Sequence, residues 1–250
     1  MTIKELRLKA QNSSPEAGRE TYVGKTVRFF SIYLTSFWLR TSVTPNQITF
    51  LSVVVCLTGA GLFATGSFAW EIVGCFLIYF SVVLDACDGE IARLKGNKSG
   101  VGSFYTEPVS HDIQYGLMFL PMGYGLYLGG FPGWIIAISA IATISKLMHR
   151  FLVVRFEAVL RMKYASSAFQ TDDDLGGAVL KFNQKVSFPH KVYRWFNRNI
   201  FSSVCLVVPL LISVLIRRVD LFLWFFAIGF SSIFILNFAR QVRYISNLGK

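Results

Sequence analysis

Six apolar stretches dominate the chain, near residues 46–66, 68–92, 103–128, 132–155, 200–217 and 219–240. A helix needs about 20 mostly apolar residues to cross the hydrocarbon core of a bilayer, and each stretch approaches that length. A soluble globule would have to hide all of them, with only 16% charged residues to cover the outside. An average soluble domain has roughly 25%. The expected fold class is therefore all-α: a polytopic membrane protein with six transmembrane helices.

The formal charge of +11 would suggest a nucleic-acid partner in a soluble protein. Here Lys and Arg crowd ahead of residue 46, at 93–98, at 146–198 and beyond 239, as cytoplasmic loops and anionic leaflets favour. With no RNA- or DNA-binding motif present, no nucleic-acid partner is expected. The same distribution places both termini in the cytoplasm; Arg217 and Arg218 are the exception, falling outside. Cys56, Cys75, Cys87 and Cys205 sit in or beside apolar runs without metal-ligand spacing, so they read as packing residues rather than disulfides. The first fifteen residues lack the apolar core of a removable signal peptide.

Residues 25–40 are too short to span. Val27, Phe30, Tyr33, Leu34, Phe37 and Trp38 recur at helical spacing, with Arg28, Ser31 and Thr35 on another face. An amphipathic helix in the cytoplasmic interface is expected, within a cytoplasmic N-terminal segment 1–43 that precedes a six-helix domain, 44–250. Asp172, Asp173 and Asp174 followed by basic and aromatic residues up to Arg198 form a second candidate surface region.

Asp85 and Asp88 stand three apart at the cytoplasmic end of the second stretch, on one helix face. Paired acids at a membrane helix end demand a partner, and oxygen ligands select Mg, Mn or Ca. On the following turn Gly89 and Ala92 lack bulk that would keep a ligand from the backbone, and Arg93 is placed to clamp phosphate. Glu107 and His111 are four apart, hence stacked on one face of the third stretch, with Pro108 suiting a first helical turn. Facing Asp85 and Asp88, they would complete a polar site. Lys146 and Arg150, four apart with His149 and Arg155 nearby, either grip an anionic acceptor or donor or snorkel to the interface. Gly125 and Gly129 form a GxxxG pattern that suggests close helix packing, as in a homodimer.

These residues resemble the CDP-alcohol phosphotransferase family, whose motif reads DxxDGxxAR and then GxxxDxxxD. Asp85, Asp88, Gly89, Ala92 and Arg93 match every defined position of the first half. Thr44, Pro45, Asn46, Gln47, Ile48 and Thr49 look like the family's start of the first span. The second half departs: Glu107 and His111 stand where the family has its third and fourth Asp, and Ser103 where it has glycine, with Gly102 one residue off. Asp112 faces about 100° away from His111 and is a poor substitute.

The resemblance implies displacement of CMP from a CDP-linked donor by an alcohol acceptor, forming a phosphodiester, with one or two Mg or Mn ions as cofactor. It assigns Asp85, Asp88 and Glu107 to metal, and Asn46, Gly89, Ala92, Arg93, Gly102 and Ser103 to the nucleotide. Lys146 and Arg150 go to an acceptor or phosphate. His111 takes the place of the base, and an imidazole, largely neutral at pH 7, is competent to accept a proton. Three carboxylates, a CDP diphosphate, two divalent ions and Arg93 balance to about zero charge, so His in the fourth position favours an anionic acceptor or a single metal. CDP-diacylglycerol is the favoured donor, which would place the reaction in phospholipid synthesis. A soluble CDP-alcohol with a lipid acceptor, a non-catalytic relative that binds nucleotide or serves as a scaffold, and a small transporter remain alternatives.

Overall fold

The computed structural model describes residues 2–12, 21–96, 101–166, 199–202 and 204–248, with backbone alone for 101–104, 161–166 and 247–248. Among the described residues every regular element is helical: α1 (Ile3–Leu6, continuing as a π turn Arg7–Gln11), α2 (Tyr22–Trp38), α3 (Pro45–Phe63), α4 (Phe68–Leu94), α5 (Val101–Leu117), α6 (Phe119–Leu128), α7 (Trp134–Ser166), α8 (Val207–Leu215) and α9 (Val219–Leu248). Four helical segments, Pro45–Phe63, Phe68–Leu94, Trp134–Leu160 and Val219–Ser246, are long and apolar enough to cross a membrane. The protein is an integral membrane protein, and large apolar side chains such as Phe50, Phe76, Ile144 and Ile228 point outward from it.

Two of the expected spans look different in detail. The 103–128 stretch is divided at Met118 into α5 and α6, and the 200–217 stretch contains α8, whose 9 residues are too few to cross alone. Pro108 lies inside α5 rather than in its first turn. Helical φ suits proline, and only one backbone bond is lost, a defect that membrane helices tolerate when neighbouring groups compensate. The expected surface region at 172–198 falls outside the described residues.

The start of α3 is built by local chemistry. Thr44 accepts a hydrogen bond from the Gln47 amide, the Gln47 side chain accepts from the Thr44 amide at 2.9 Å, and Pro45 occupies the first turn. From there α3 runs to a close crossing with α4. A side-chain carbon on Gly59 would stand 2.8 Å from the Gly74 carbonyl oxygen, and one on Gly74 would stand 2.6 Å from the Gly59 carbonyl oxygen. Backbone meets backbone there, so neither position can grow without separating the helices. Gly74→Ala is expected to cost about 1–3 kcal/mol and to lower the thermal midpoint in detergent. Gly61→Ala, with no neighbour within 4 Å of the added carbon, is the matched control; equal melting of the two variants would contradict the crossing.

The GxxxG pattern is used within the chain. A side chain on Gly125 would run into the Phe63 carbonyl, and Gly66 packs against Gly125. Arg217, at the turn between α8 and α9, lies 4.6 Å over the Phe68 ring, while Arg218 forks onto Asp220 at 2.9 Å through both bonds. These contacts gather the α3–α4 turn, the end of α6 and the α8–α9 turn at one end of the bundle. Phe119, Phe222, Phe226 and Phe230 fill its core. At the other end, Ile48, Leu84, Cys87 and Ile91 form a smaller cluster with Leu34 and Trp38 of α2.

Ser31 and Thr35 of α2 turn inward with Val27 and Ile32 and are buried, whereas Phe29, Phe30, Tyr33 and Phe37 are exposed. All four cysteines are buried and free.

Candidate active site

The motif end of α4 opens into a cavity of about 630 Å³. Asp85, Asp88, Gly89 and Arg93 line it from α4, Glu107 and His111 from α5, and Gly24, Val27 and Arg28 from α2. The spacings of three on α4 and four on α5 hold each pair on one helical face, and α3, which packs on both helices, brings those faces together.

Within the cavity His111 Nε2 straddles the Asp85 carboxylate, 2.9 Å from Oδ1 and 3.0 Å from Oδ2. Asp88 is 6% exposed and accepts from the Thr49 hydroxyl of α3. The Arg93 guanidinium lies over Gly89, where a side-chain carbon would come within 3.3 Å of Nη1. Gly89 thus makes room for the arginine as well as exposing backbone. Arg93 Nε donates to the Ala10 carbonyl at 2.6 Å, which turns the group back over the cavity.

Several expected residues lie elsewhere. Asn46 is exposed on the first turn of α3 and does not line the cavity; Thr49, three residues on, is the α3 side chain that reaches a carboxylate. Ala92 is half-buried and off the cavity wall. Gly102 and Ser103 stand in the first turn of α5, where only the backbone is described. Lys146 and Arg150 do not line this cavity. The Lys146 ammonium lies 4.8 Å over the Phe230 ring, and Arg150 Nε lies 3.3 Å from Asp112 Oδ1. Asp112 thus faces α7 rather than the carboxylates, as its position on the helix required. Beside this pair His149 and Asn237 are 2.9 Å apart.

Four carboxylates, Asp85, Asp88, Glu90 and Glu107, on one cavity wall are a high concentration of negative charge, and their hard oxygen donors fit Mg or Mn better than softer metals. Among the described residues no three His, Cys, Asp or Glu side chains converge closely enough to form a ready-made ion cage. Arg28 and Glu90, both on the cavity wall, were not singled out from the sequence. Arg28 was visible as the polar face of α2; Glu90 was hidden by its place at a variable position of the motif.

The CDP-alcohol phosphatidyltransferase family model matches residues 42–181, more than half of the chain and the segment that holds every acidic residue of the cavity. The chain belongs to this family. The family is one of transferases of phosphate-containing groups, which use a CDP-alcohol donor and an alcohol acceptor. Among curated proteins it is similar to the "Bifunctional IPC transferase and DIPP synthase" of Rubrobacter xylanophilus (strain DSM 9941 / JCM 11954 / NBRC 16129 / PRD-1), 34% identical over 67 residues. That match covers 27% of this chain and 15% of the relative, well under two thirds of the relative's length.

Proposed function

We propose that this CDP-alcohol phosphatidyltransferase displaces CMP from a lipid-linked CDP donor of the CDP-diacylglycerol type, in phospholipid synthesis. The observation that carries the reading is the meeting of Asp85, Asp88, Glu107 and His111 with Gly89 and Arg93 on one cavity. Asp85, Asp88 and Glu107 would hold one or two divalent ions, Mg or Mn. When bound, such ions neutralise the diphosphate and the departing phosphate. Arg93 and Arg28 orient the phosphates, Gly89 lets them approach the backbone, and Gly102 and Ser103, in the first turn of α5, belong to the nucleotide's surroundings. The acceptor oxygen forms a bond to the phosphorus as the bond to CMP breaks. His111 takes the hydroxyl proton. With Nε2 donating to Asp85, its Nδ1 is the nitrogen left to accept. Lys146 and Arg150 stand as a basic pair for an anionic acceptor, Arg150 exchanging Asp112 for the incoming group.

A second cavity of about 450 Å³ supports the lipid-linked donor. It is lined by Val23, Thr26, Tyr79 and Val207, each a few residues from Gly24, Val27, Val82 and Val204 of the polar cavity. The same seam between α2, α4 and the approach to α8 therefore passes from polar to apolar, as a headgroup and its acyl chain require.

In the bilayer, we take α5 and α6 together as one crossing broken at Met118, and α8 with the residues before it as another. That gives six, with α2 in the cytoplasmic interface, its aromatic face toward lipid, and the site and both termini on the cytoplasmic side. The domain division stays 1–43 and 44–250. A homodimer would have to use another face than Gly125.

The test is CMP release by the protein in lipid nanodiscs. CDP-diacylglycerol with Mn and a panel of alcohols should yield CMP, and chelation should stop it. CMP released only from soluble CDP-alcohols in the presence of diacylglycerol would reverse the donor assignment. No CMP from any donor would point to a nucleotide-binding relative instead.

A further inference from the structure

Glu90 stands between Gly89 and Arg93 on α4, and the chemistry above leaves it without a task. It is 2% exposed. A carboxylate buried so deeply persists only when its oxygens are satisfied. Oε1 accepts from Gln11 Nε2 at 2.8 Å and from Ser31 Oγ at 2.6 Å, and Oε2 accepts from Thr35 Oγ1 at 2.7 Å. Each of these donors lies before residue 44, on the N-terminal segment or on α2. Glu90 is thus the point at which the leading segment is fastened to the motif helix.

The fastening continues into the cavity. Gln11 Nε2 also donates to the Arg28 carbonyl at 2.7 Å, and the Gln11 carbonyl accepts from Arg28 Nη1 at 3.1 Å. The neighbouring Ala10 carbonyl accepts from Arg93 Nε at 2.6 Å. Both guanidinium groups on the cavity wall are therefore steered by the backbone of Ala10 and Gln11, which are 0% and 8% exposed. Each arginine spends part of its fork on a carbonyl, which fixes the direction in which the planar guanidinium points.

We propose that Glu90 is a positioning residue: through Gln11 it holds the leading segment on α4 so that Arg93 and Arg28 face the diphosphate of a CDP-linked substrate. This rests on reading the cavity as a CDP site. Without the anchor the two side chains keep their charge but must be ordered when the nucleotide binds, so the loss falls on nucleotide affinity. The hydrogen bonds to Glu90 come from Gln11, Ser31 and Thr35 and do not run through Asp85, Asp88 or Glu107, so the carboxylates that would hold metal are expected to keep their geometry.

The experiment is titration of CDP, with saturating Mn, onto the full chain in lipid nanodiscs, beside Mn binding measured without nucleotide. Glu90→Ala is expected to weaken CDP binding roughly tenfold or more, the usual range when an outer partner of a binding group is removed. Gln11→Ala should weaken it to a similar degree, and the double variant no more than the worse single one, since both cut the same connection. Glu90→Gln, which keeps an oxygen for Gln11 and Ser31, should recover most of the affinity. Mn binding should stay at the wild-type value throughout. Gln11→Ala leaves the Glu90 carboxylate bonded to Ser31 and Thr35, so it decides the matter even when Glu90→Ala does not fold. Unchanged CDP affinity in Gln11→Ala, or in a folded Glu90→Ala that merely melts earlier, overturns the proposal, as do effects that simply add. Wild-type protein that binds Mn but no CDP overturns the nucleotide reading, and this proposal with it.

Discussion

Asp88→Asn is expected to lower CMP release by at least about 10²–10³-fold and to remove the Mn dependence of CDP binding. Asn has the shape of Asp and keeps an oxygen for the Thr49 hydroxyl, so the packing around a side chain that is 6% exposed should survive. What changes is charge. One of the three carboxylates assigned to metal is neutralised, and that set loses the donor that is most withdrawn from water. Withdrawal matters because an ion–carboxylate attraction strengthens as the local dielectric falls. Asp85 does not compensate, because it is already one of the carboxylates assigned to metal and its oxygens also face His111 Nε2. CDP titration with and without Mn, beside CMP release, checks the result. Wild-type nucleotide affinity and metal dependence in a folded Asp88→Asn protein would remove Asp88 from the metal set.

How much of this was legible in the sequence follows from the range over which each feature is decided. The start of α3 was legible because a capping box is settled within four residues, Thr44 to Gln47. The pairs Asp85 with Asp88 and Glu107 with His111 were legible because helical spacing alone puts each on one face. Asp112 was read correctly as turned away for the same reason. What joins the pairs was not legible: His111 finds Asp85 across 26 residues, and Glu90 finds Gln11, Ser31 and Thr35 across 79, 59 and 55. No local rule reaches so far. The faces of α2 show a subtler limit. Periodicity separates Ser31 and Thr35 from the aromatic residues but does not say which face meets protein. A buried carboxylate on α4 decided that. Likewise the pairing of Arg150 with Asp112, on another helix, was beyond local spacing.

His111→Ala is expected to lower turnover by about 10²–10⁴-fold, the range that a positioned general base contributes, while leaving CDP affinity near the wild-type value. The imidazole sits in the cavity with Nε2 on the Asp85 carboxylate, a contact that favours the proton on Nε2 in the neutral ring and leaves Nδ1 as the nitrogen to accept. Loss of the ring removes the proton acceptor without removing a carboxylate, so binding and chemistry should separate. His111→Asp supplies the carboxylate that the family's motif has here, and it should restore part of the turnover. It also adds a negative charge beside Asp85, Asp88 and Glu107, and that charge opposes a phosphorylated acceptor more than a neutral one. Comparing CMP release with glycerol and with its 3-phosphate, in wild type and in His111→Asp, isolates that effect. If the imidazole is there to admit an anionic acceptor, the preference for the phosphorylated alcohol falls in the Asp variant even where its best rate approaches wild type. An unchanged preference, with rate and metal stoichiometry also unchanged, would mean that the fourth position serves as base alone and that acceptor charge is read elsewhere, at Lys146 and Arg150.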